Sequence, residues 1–421
     1  MSKDLAGLPK GWKVVRLGEI SKDIQSGGTP LRNQKSFYEG SIPWVKTLDL
    51  NEGVVNCTEE KITEEGFKSI RGKLRPINTV MVAMYGGSGT VGKTGILGIS
   101  AATNQAVCCI EPNPKVFDSV YLHFYLIGVR KEWMRYAIGT RKDPNISKGI
   151  IENTEIILPP LEEQMAIATT LRTIQTAKEA RQKELALERE RKAALMDYLF
   201  THGTRNEPRK QTELGEIPES WNISKFGQLV EMKNGINFKT EQKGKGILTI
   251  DVFNMYSGSI YLVMNKLYRV DVPDIREHFL LQPNDILFVR SSLKEEGVGW
   301  ASLFRGFDEL VTFCGFIIRA RLLTNDFIPE YLLNYLRLPS TRRFIVSKSD
   351  KVAITNINQG GLSSLPVLQP SKEEQQEIAD ILSSCDSKIA TLEREINLHD
   401  ELFRAMLEEL MTGKLSSLPL A

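Results

Sequence analysis

The chain is poor in the residues that build metal centres, disulfide frameworks and membrane spans. Its five cysteines, Cys57, Cys108, Cys109, Cys314 and Cys385, form no Cys-x-x-Cys pair, and four of them sit in apolar contexts. That is the pattern of reduced core thiols. The four histidines, His123, His202, His278 and His399, are scattered and suggest neither a metal cluster nor a catalytic triad. No apolar run reaches the roughly eighteen residues of a membrane helix. Met1-Ser2-Lys3-Asp4 opens a polar segment instead of a signal peptide, so a cytoplasmic protein with no membrane partner is expected. There is no Asn-Pro-Pro-Tyr or Asp-Pro-Pro-Tyr stretch, which excludes an amino-methyltransferase site of that type, and no nuclease-like carboxylate cluster with a following lysine. The net charge of +2 over 421 residues neither demands nor excludes nucleic acid; binding has to come from local patches.

What the chain does have is two long polar segments with helical character. The first starts at Pro159-Pro160-Leu161-Glu162-Glu163-Gln164 and runs to about His202; the second starts at Gln369-Pro370-Ser371-Lys372-Glu373-Glu374-Gln375 and runs to about Gly413. Glu162 and Glu373 are 211 positions apart, and the same offset pairs Ile167 with Ile378, Leu171 with Leu382 and Leu199 with Leu410. Each segment follows a proline, opens with acidic residues that favour the positive end of a helix dipole, and stops at a glycine, Gly203 or Gly413.

Apolar residues in the second segment recur at alternating steps of four and three, at Ile378, Leu382, Cys385, Ile389, Leu392, Ile396, His399, Phe403, Met406 and Leu410. This is a coiled-coil seam, which needs a partner helix. In the first segment the equivalent seam is apolar at its ends, Ile167, Leu171, Ile174, Leu195 and Leu199, and charged in its middle, at Lys178, Arg181, Glu188 and Lys192. The two helices are expected to pack on each other. About forty residues at 1.5 Å each give a rod of about 60 Å, a spacer and not a core element.

The duplication extends through the rest. Leu8 to Ile20, containing Trp12, returns as Ile217 to Leu229, containing Trp221; the strand-like run Thr79 to Tyr85 returns as Asp285 to Arg290. Tyr121 to Leu126 returns as Tyr331 to Leu336 with helical spacing, and Asn145-Ile146 returns as Asn356-Ile357. Offsets drift in these parts but stay constant in the helices. A protein using two copies of one frame for two different targets has this form. The expected fold is α+β: two pseudo-repeated domains of mixed α/β structure, 1–158 and 204–370, separated by two long helices, 159–203 and 371–421 with the C-terminal tail, that pair with each other.

Gly87-Ser88-Gly89-Thr90-Val91-Gly92-Lys93-Thr94 satisfies the G-x-x-x-x-G-K-[ST] pattern of a nucleotide-binding P-loop. A P-loop must open a helix, whereas Gly95-Ile96-Leu97-Gly98-Ile99 reads as a strand, and the second copy, Val298-Gly299-Trp300, has no Lys. The expectation is a glycine hairpin presenting Lys93 to a ligand such as DNA phosphate.

Taken together, the repeated Leu8–Ile20 and Ile217–Leu229 stretches, the Glu-Glu-Gln helix starts, and the endings Tyr198 to Gly203 and Glu409 to Leu415 resemble the specificity subunit of type I restriction-modification systems over nearly the whole chain. The resemblance implies a non-catalytic subunit whose domains each read one half of a bipartite double-stranded DNA target. Its helices would pack as an antiparallel coiled coil and dock two methyltransferase (modification) subunits, and restriction/translocase subunits would join the assembly. No cofactor would sit on this chain; S-adenosylmethionine, ATP and Mg would be held by the partners.

Base readout needs Arg, Lys, Asn and Gln on loops, and phosphate contacts need cations and hydroxyls. The candidates in the first domain are Arg32, Lys35, Lys46, Thr47, Tyr85, Lys93, Arg141, Lys142, Asn145 and Lys148. Those in the second are Lys233, Asn237, Lys239, Lys243, Lys245, Asn254, Arg290, Ser291, Lys294, Lys348 and Lys351. No catalytic or metal-binding residue is expected. The alternative is a coiled-coil scaffold bridging protein partners without reading DNA sequence.

Overall fold

A computed structural model of the chain describes residues 8–87, 89–138, 145–273, 275–351 and 355–416. It divides into two compact units, Met1–Gln182 with Arg394–Ala421, and Lys183–Glu393. Each unit therefore holds one globular domain and one part of each long helix.

In the first unit a five-stranded sheet runs in the order Ile24–Ser26, Val107–Ile110, Val80–Ala83, Thr94–Leu97, Val54–Val55. Val80–Ala83 lies at its centre with all four residues buried, which is why the sequence there is an unbroken apolar run instead of an alternating one. A three-stranded sheet, Glu60–Ile62, Tyr38–Val45, Ala102–Thr103, and an antiparallel pair, Lys13–Arg16 with Glu155–Leu158, complete the strands. The helix Ser119–Ile138 packs against the larger sheet.

The second unit repeats this plan. Val230–Asn234, Ile317–Leu322, Ile286–Val289 and Ala301–Leu303 form the sheet, and Tyr268–Val270, Lys243–Ile250 and Val311–Phe313 form the smaller one. The closing pair is Asn222–Lys225 with Pro366–Gln369, and Pro329–Arg337 is the packed helix. One parallel pair recurs in both units, Val45 beside Thr103 and Ile250 beside Phe313. A hairpin, Arg209–Thr212 with Gly215–Pro218, belongs to the second unit.

The long helices are Leu161–His202 and Lys372–Met411. Within the first unit Lys178 pairs with Asp400 at 2.6 Å and Arg181 with Glu395 at 3.3 Å. Within the second, Glu184 pairs with Lys388 at 3.0 Å, Arg189 with Glu393 at 2.7 Å and Lys192 with Asp386. Rising numbers on one helix meet falling numbers on the other, so the pairing is antiparallel. The basic residues in the middle of the first seam, Lys178, Arg181 and Lys192, are matched by acidic residues flanking the apolar seam of the second, while Glu188 pairs with Arg191 on its own helix. Exposed pairs of this kind contribute about 0–1 kcal/mol each; they refine the register and add little stability.

The ends of both helices are core elements, contrary to the spacer expectation. Ile167, Ala168 and Leu171, with Leu410 and Met411, lie in the core of the first unit, where Phe403 meets Phe124 edge-on at 5.6 Å. Leu199, Phe200, Ile378, Ala379 and Leu382 lie in the core of the second. Their apolar faces are wide enough to cover the globular domain as well as the partner helix.

The helix starts are bolted to the domains by buried polar contacts. Trp12 Nε1 donates to Glu163 Oε2 at 2.8 Å, and Trp221 Nε1 donates to Glu374 Oε2 at 3.0 Å. Gln164 Oε1 accepts from Asp118 N, and its Nε2 donates to the carbonyl of Pro159; Gln375 repeats this with Ile328 N and the carbonyl of Pro370. Glu374 Oε1 also accepts from Thr204 N at 2.7 Å, just past the end of the first helix. Gly203 stops that helix at φ +67°, and a Cβ there would lie 2.4 Å from the same Glu374 oxygen.

Two consequences can be measured. Glu374→Ala strands the Trp221 indole and the Thr204 amide, and should cost roughly 2–4 kcal/mol in urea unfolding, while Glu373→Ala at the exposed neighbouring position should stay within about 0.5 kcal/mol. Equal losses would contradict the anchor. His123 lies in the core of the first unit, its Nε2 has no partner among the described residues, and burial holds its pKa down at about 4 against 6.5. The unfolded chain takes up the proton first, so stability should fall from pH 6.5 towards pH 4 by on the order of 3 kcal/mol. His123→Leu, the residue at the equivalent Leu333, should flatten that window in a pH series of denaturation midpoints; an unchanged slope would contradict the assignment.

Candidate nucleic-acid interface

The glycine-rich segment is a hairpin between Val80–Ala83 and Thr94–Leu97. Gly86, Gly89 and Gly92 take positive φ, and a strand, not a helix, follows. Arg130 clamps the hairpin by donating to the carbonyls of Gly89 and Val91. Arg342 does the same for Glu296, Val298 and Gly299 in the second unit. The amides are not gathered at a helix N-terminus, so the geometry of a P-loop is missing and the hairpin expectation holds.

Next to the hairpin, four backbone hydrogen bonds build the same ledge in both units. Ile146 N donates to Met84 O at 2.9 Å, and Ile357 N to Arg290 O at 2.9 Å; Met84 N donates to Ala106 O at 2.8 Å, and Arg290 N to Phe316 O at 2.7 Å. Val107 N to Asn104 O and Ile317 N to Cys314 O close a tight turn, which is tied back by Asn104 N to Val45 O and Cys314 N to Ile250 O. Asn145 and Asn356 sit at matching bridge positions, opposite Tyr85 and Ser291.

The side chains on these ledges differ in kind. The first carries Thr29, Thr47, Tyr85, Gln105 and Asn145. Thr29 Oγ1 donates to Gln105 Oε1, Gln105 also bonds the Tyr85 phenol, and Thr47 Oγ1 lies 3.5 Å from where a Cβ on Gly86 would be. Burial pushes the Tyr85 phenol up and the Gln105 contact opposes it, so it is a neutral donor. The second ledge carries Asn234, Asn237, Arg290, Ser291, Asn356 and Gln359. Ser291 Oγ donates to Asn356 Oδ1, Gln359 Nε2 to Asn234 Oδ1 at 3.1 Å, and Arg290 Nη1 to Gly315 O at 3.4 Å. These are the donor and acceptor types that read base edges.

Among the sequence candidates, the structure thus brings together Thr47, Tyr85 and Asn145, and Asn237, Arg290 and Ser291. Lys93 lies half-buried in the hairpin, and Lys294 is exposed before the equivalent turn. Other cations have partners within their domains. Arg32 pairs with Glu60 at 2.6 Å and stacks on Tyr38 and Trp44, and Lys46 holds Glu59 and Glu60. Burial works against the Glu60 charge, but Arg32 and Lys46 hold its carboxyl below the usual range. Lys148 pairs with Glu152 and Lys245 with Asp271. Lys243 lies over the Tyr268 ring and Lys348 over Phe344. Lys35 and Lys239 are exposed on turns, and Lys233 is half-buried on a strand.

Asn254 is a correction. It is fully buried, its Nδ2 donates to the carbonyls of Val263 and Asn265, and its Oδ1 accepts from Asp251 N. Every polar group it owns is used inside the fold, so it has nothing left for DNA. Arg141 and Lys142 lie outside the described residues, as does the Lys351 side chain. Sequence reasoning missed Thr29, Gln105, Asn234 and Gln359; their pointer was proximity to the repeated glycine turns and Asn-Ile pairs.

Among the described residues no helix is long and apolar enough to cross a membrane. The model of the type I restriction modification DNA specificity domain matches twice, at residues 9–189 and 218–399. The MjaVIII specificity subunit of Methanocaldococcus jannaschii is 25% identical over 421 residues, covering 98% of this chain and 95% of that protein. The EcoKI specificity subunit of Escherichia coli is 24% identical, covering 93% and 85%. The crystal structure of a type I restriction-modification S subunit from M. genitalium shares the fold, with a TM-score of 0.58 at 14% identity over 96% of each chain. With both of its repeats matched, the chain belongs to the type I restriction-modification DNA specificity family.

Proposed function

We propose that this chain is the sequence-reading subunit of a type I restriction-modification assembly, and that each ledge reads one half of a bipartite, non-palindromic DNA target. The observation that carries this is the pairing of one backbone frame with two different sets of side chains. Ile146 and Ile357 hold the frame, while Thr29 and Asn237, Gln105 and Gly315, Met84 and Arg290, and Tyr85 and Ser291 occupy matching places. A scaffold that only bridged proteins would have no need of two unlike polar surfaces on one conserved frame. Lys93 and Lys294 beside the ledges supply phosphate contacts, which position the domain without specifying sequence.

The chain itself carries no chemistry in this account. The long helices dock two methyltransferase subunits, which hold S-adenosylmethionine and methylate adenine after flipping it from the stack. Restriction subunits bring ATP and Mg for translocation and cleavage. The assembly works on DNA in the cytoplasm.

The test is whether the two ledges act independently. Gln105→Ala should relax discrimination in one half-site only, and Asn237→Ala in the other, each by about 1–3 kcal/mol per base pair that loses a bidentate contact. Binding of the assembled methyltransferase to a library randomised in both half-sites measures this. Loss of selectivity in both halves from either variant, or in neither from both, would count against two separate readers.

A further inference from the structure

The turn that closes each ledge carries unlike side chains at its tip. In the first unit it is Asn104-Gln105-Ala106-Val107, and Ala106 is buried at 5% exposure. In the second it is Cys314-Gly315-Phe316-Ile317, and Phe316 is 60% exposed between Cys314 at 2% and Ile317 at 0%. The turn under the phenyl ring is held from four sides, by Ile317 N to Cys314 O at 3.0 Å, Cys314 N to Ile250 O at 3.0 Å, Arg290 N to Phe316 O at 2.7 Å and Gly235 N to Ile317 O at 3.0 Å. Gly315 leaves room for Asn237 to lie against it: a Cβ there would meet Asn237 Oδ1 at 2.0 Å. A large apolar ring is thus fixed in water on a rigid support, beside a guanidinium and amides suited to base edges.

We infer that Phe316 is a wedge, inserted between neighbouring base pairs of the half-site read by the second domain. The inference rests on the DNA-reading role proposed above and adds what that role does not contain. The two half-sites are recognised by different physics, the first by the hydrogen-bonding Gln105 and the second partly by how readily one base step unstacks. Apolar side chains that enter a step unstack it and kink the duplex, and the cost depends on the sequence of that step. Phe316 buries its exposed face on insertion, and Arg290 lies beside it to meet the nearby negative potential. Ala106 at the matching place is too small and too deep to do this, so distortion belongs to one half-site.

The assembled specificity–methyltransferase complex tests this on duplexes carrying 2-aminopurine at successive positions of each half-site, since that base brightens when it unstacks. Wild type should brighten a step in the second half-site other than the methylated adenine. Phe316→Ala should abolish that signal and weaken binding to the intact target on the order of tenfold, the range for losing one aromatic stacked on a base. Phe316→Trp should keep both, and a single mismatch at the affected step should restore binding to Phe316→Ala. Wild type that selects its target while no step depends on Phe316, or Phe316→Ala that binds within twofold of wild type, overturns the wedge alone. Wild type with no preference for any target overturns the DNA-reading role and the wedge with it.

Discussion

A carboxylate out of reach of water decides where each long helix begins. Glu163 and Glu374 are buried, and a buried carboxylate is tolerable only when its oxygens accept hydrogen bonds. The donors come from elsewhere in the chain: the indole of Trp12 for one, and the indole of Trp221 with the Thr204 amide for the other. Gln164 and Gln375, one residue on, bind the backbone at the entry to the packed helix and at the preceding proline. These contacts hold the helix start against rotation and sliding on its domain, so the ledge gains a fixed position relative to the helix. The antiparallel ion pairs then refine a register that the buried contacts have already set.

That division explains how the two repeats diverged. Positions facing the anchors and the sheet interiors repeat in kind: Trp12 and Trp221, Tyr121 and Tyr331, Glu163 and Glu374, Gln164 and Gln375. Apart from Asn145 and Asn356, the positions on the ledges do not. The frame is fixed by backbone bonds, such as Ile146 N to Met84 O and Ile357 N to Arg290 O, which accept any side chain that leaves the main chain in place. A ledge can therefore change from Gln105-Ala106 to Gly315-Phe316 without disturbing the anchor. One fold serving two targets needs this separation between what holds and what reads.

Much of the architecture was legible in the sequence because it is periodic or repeated. The seam positions of Lys372–Met411 follow the four-three rhythm, the stops at Gly203 and Gly413 follow from left-handed φ, and the hairpin at Gly86–Gly92 follows from the strand after it. Which polar residues face solvent was much less legible. Asn254 sits in a short turn and has the chemistry of a base reader, yet it is consumed by the Asp251 amide of that turn and by the carbonyls of Val263 and Asn265 further along the chain. Arg32 and Lys46 look like free cations in the sequence, but Glu59 and Glu60 arrive beside them from a strand more than ten residues away. Gln105 follows a strand of two residues, too short to mark, and becomes a ledge residue through long-range bonds from Val45 and Met84. Local pattern reports the elements; the partners of a charge are a property of the folded whole.

The central claim is that each domain reads its own half-site through its own ledge. The most direct measurement is methylation mapping in a host that expresses this chain with its methyltransferase partner, before and after the first globular domain is exchanged for that of a related specificity subunit. The account predicts a single bipartite motif with methylated adenine in both halves, in which the exchange changes one half and leaves the other as it was. Methylation that changed in both halves on exchange, or a palindromic motif, would contradict it.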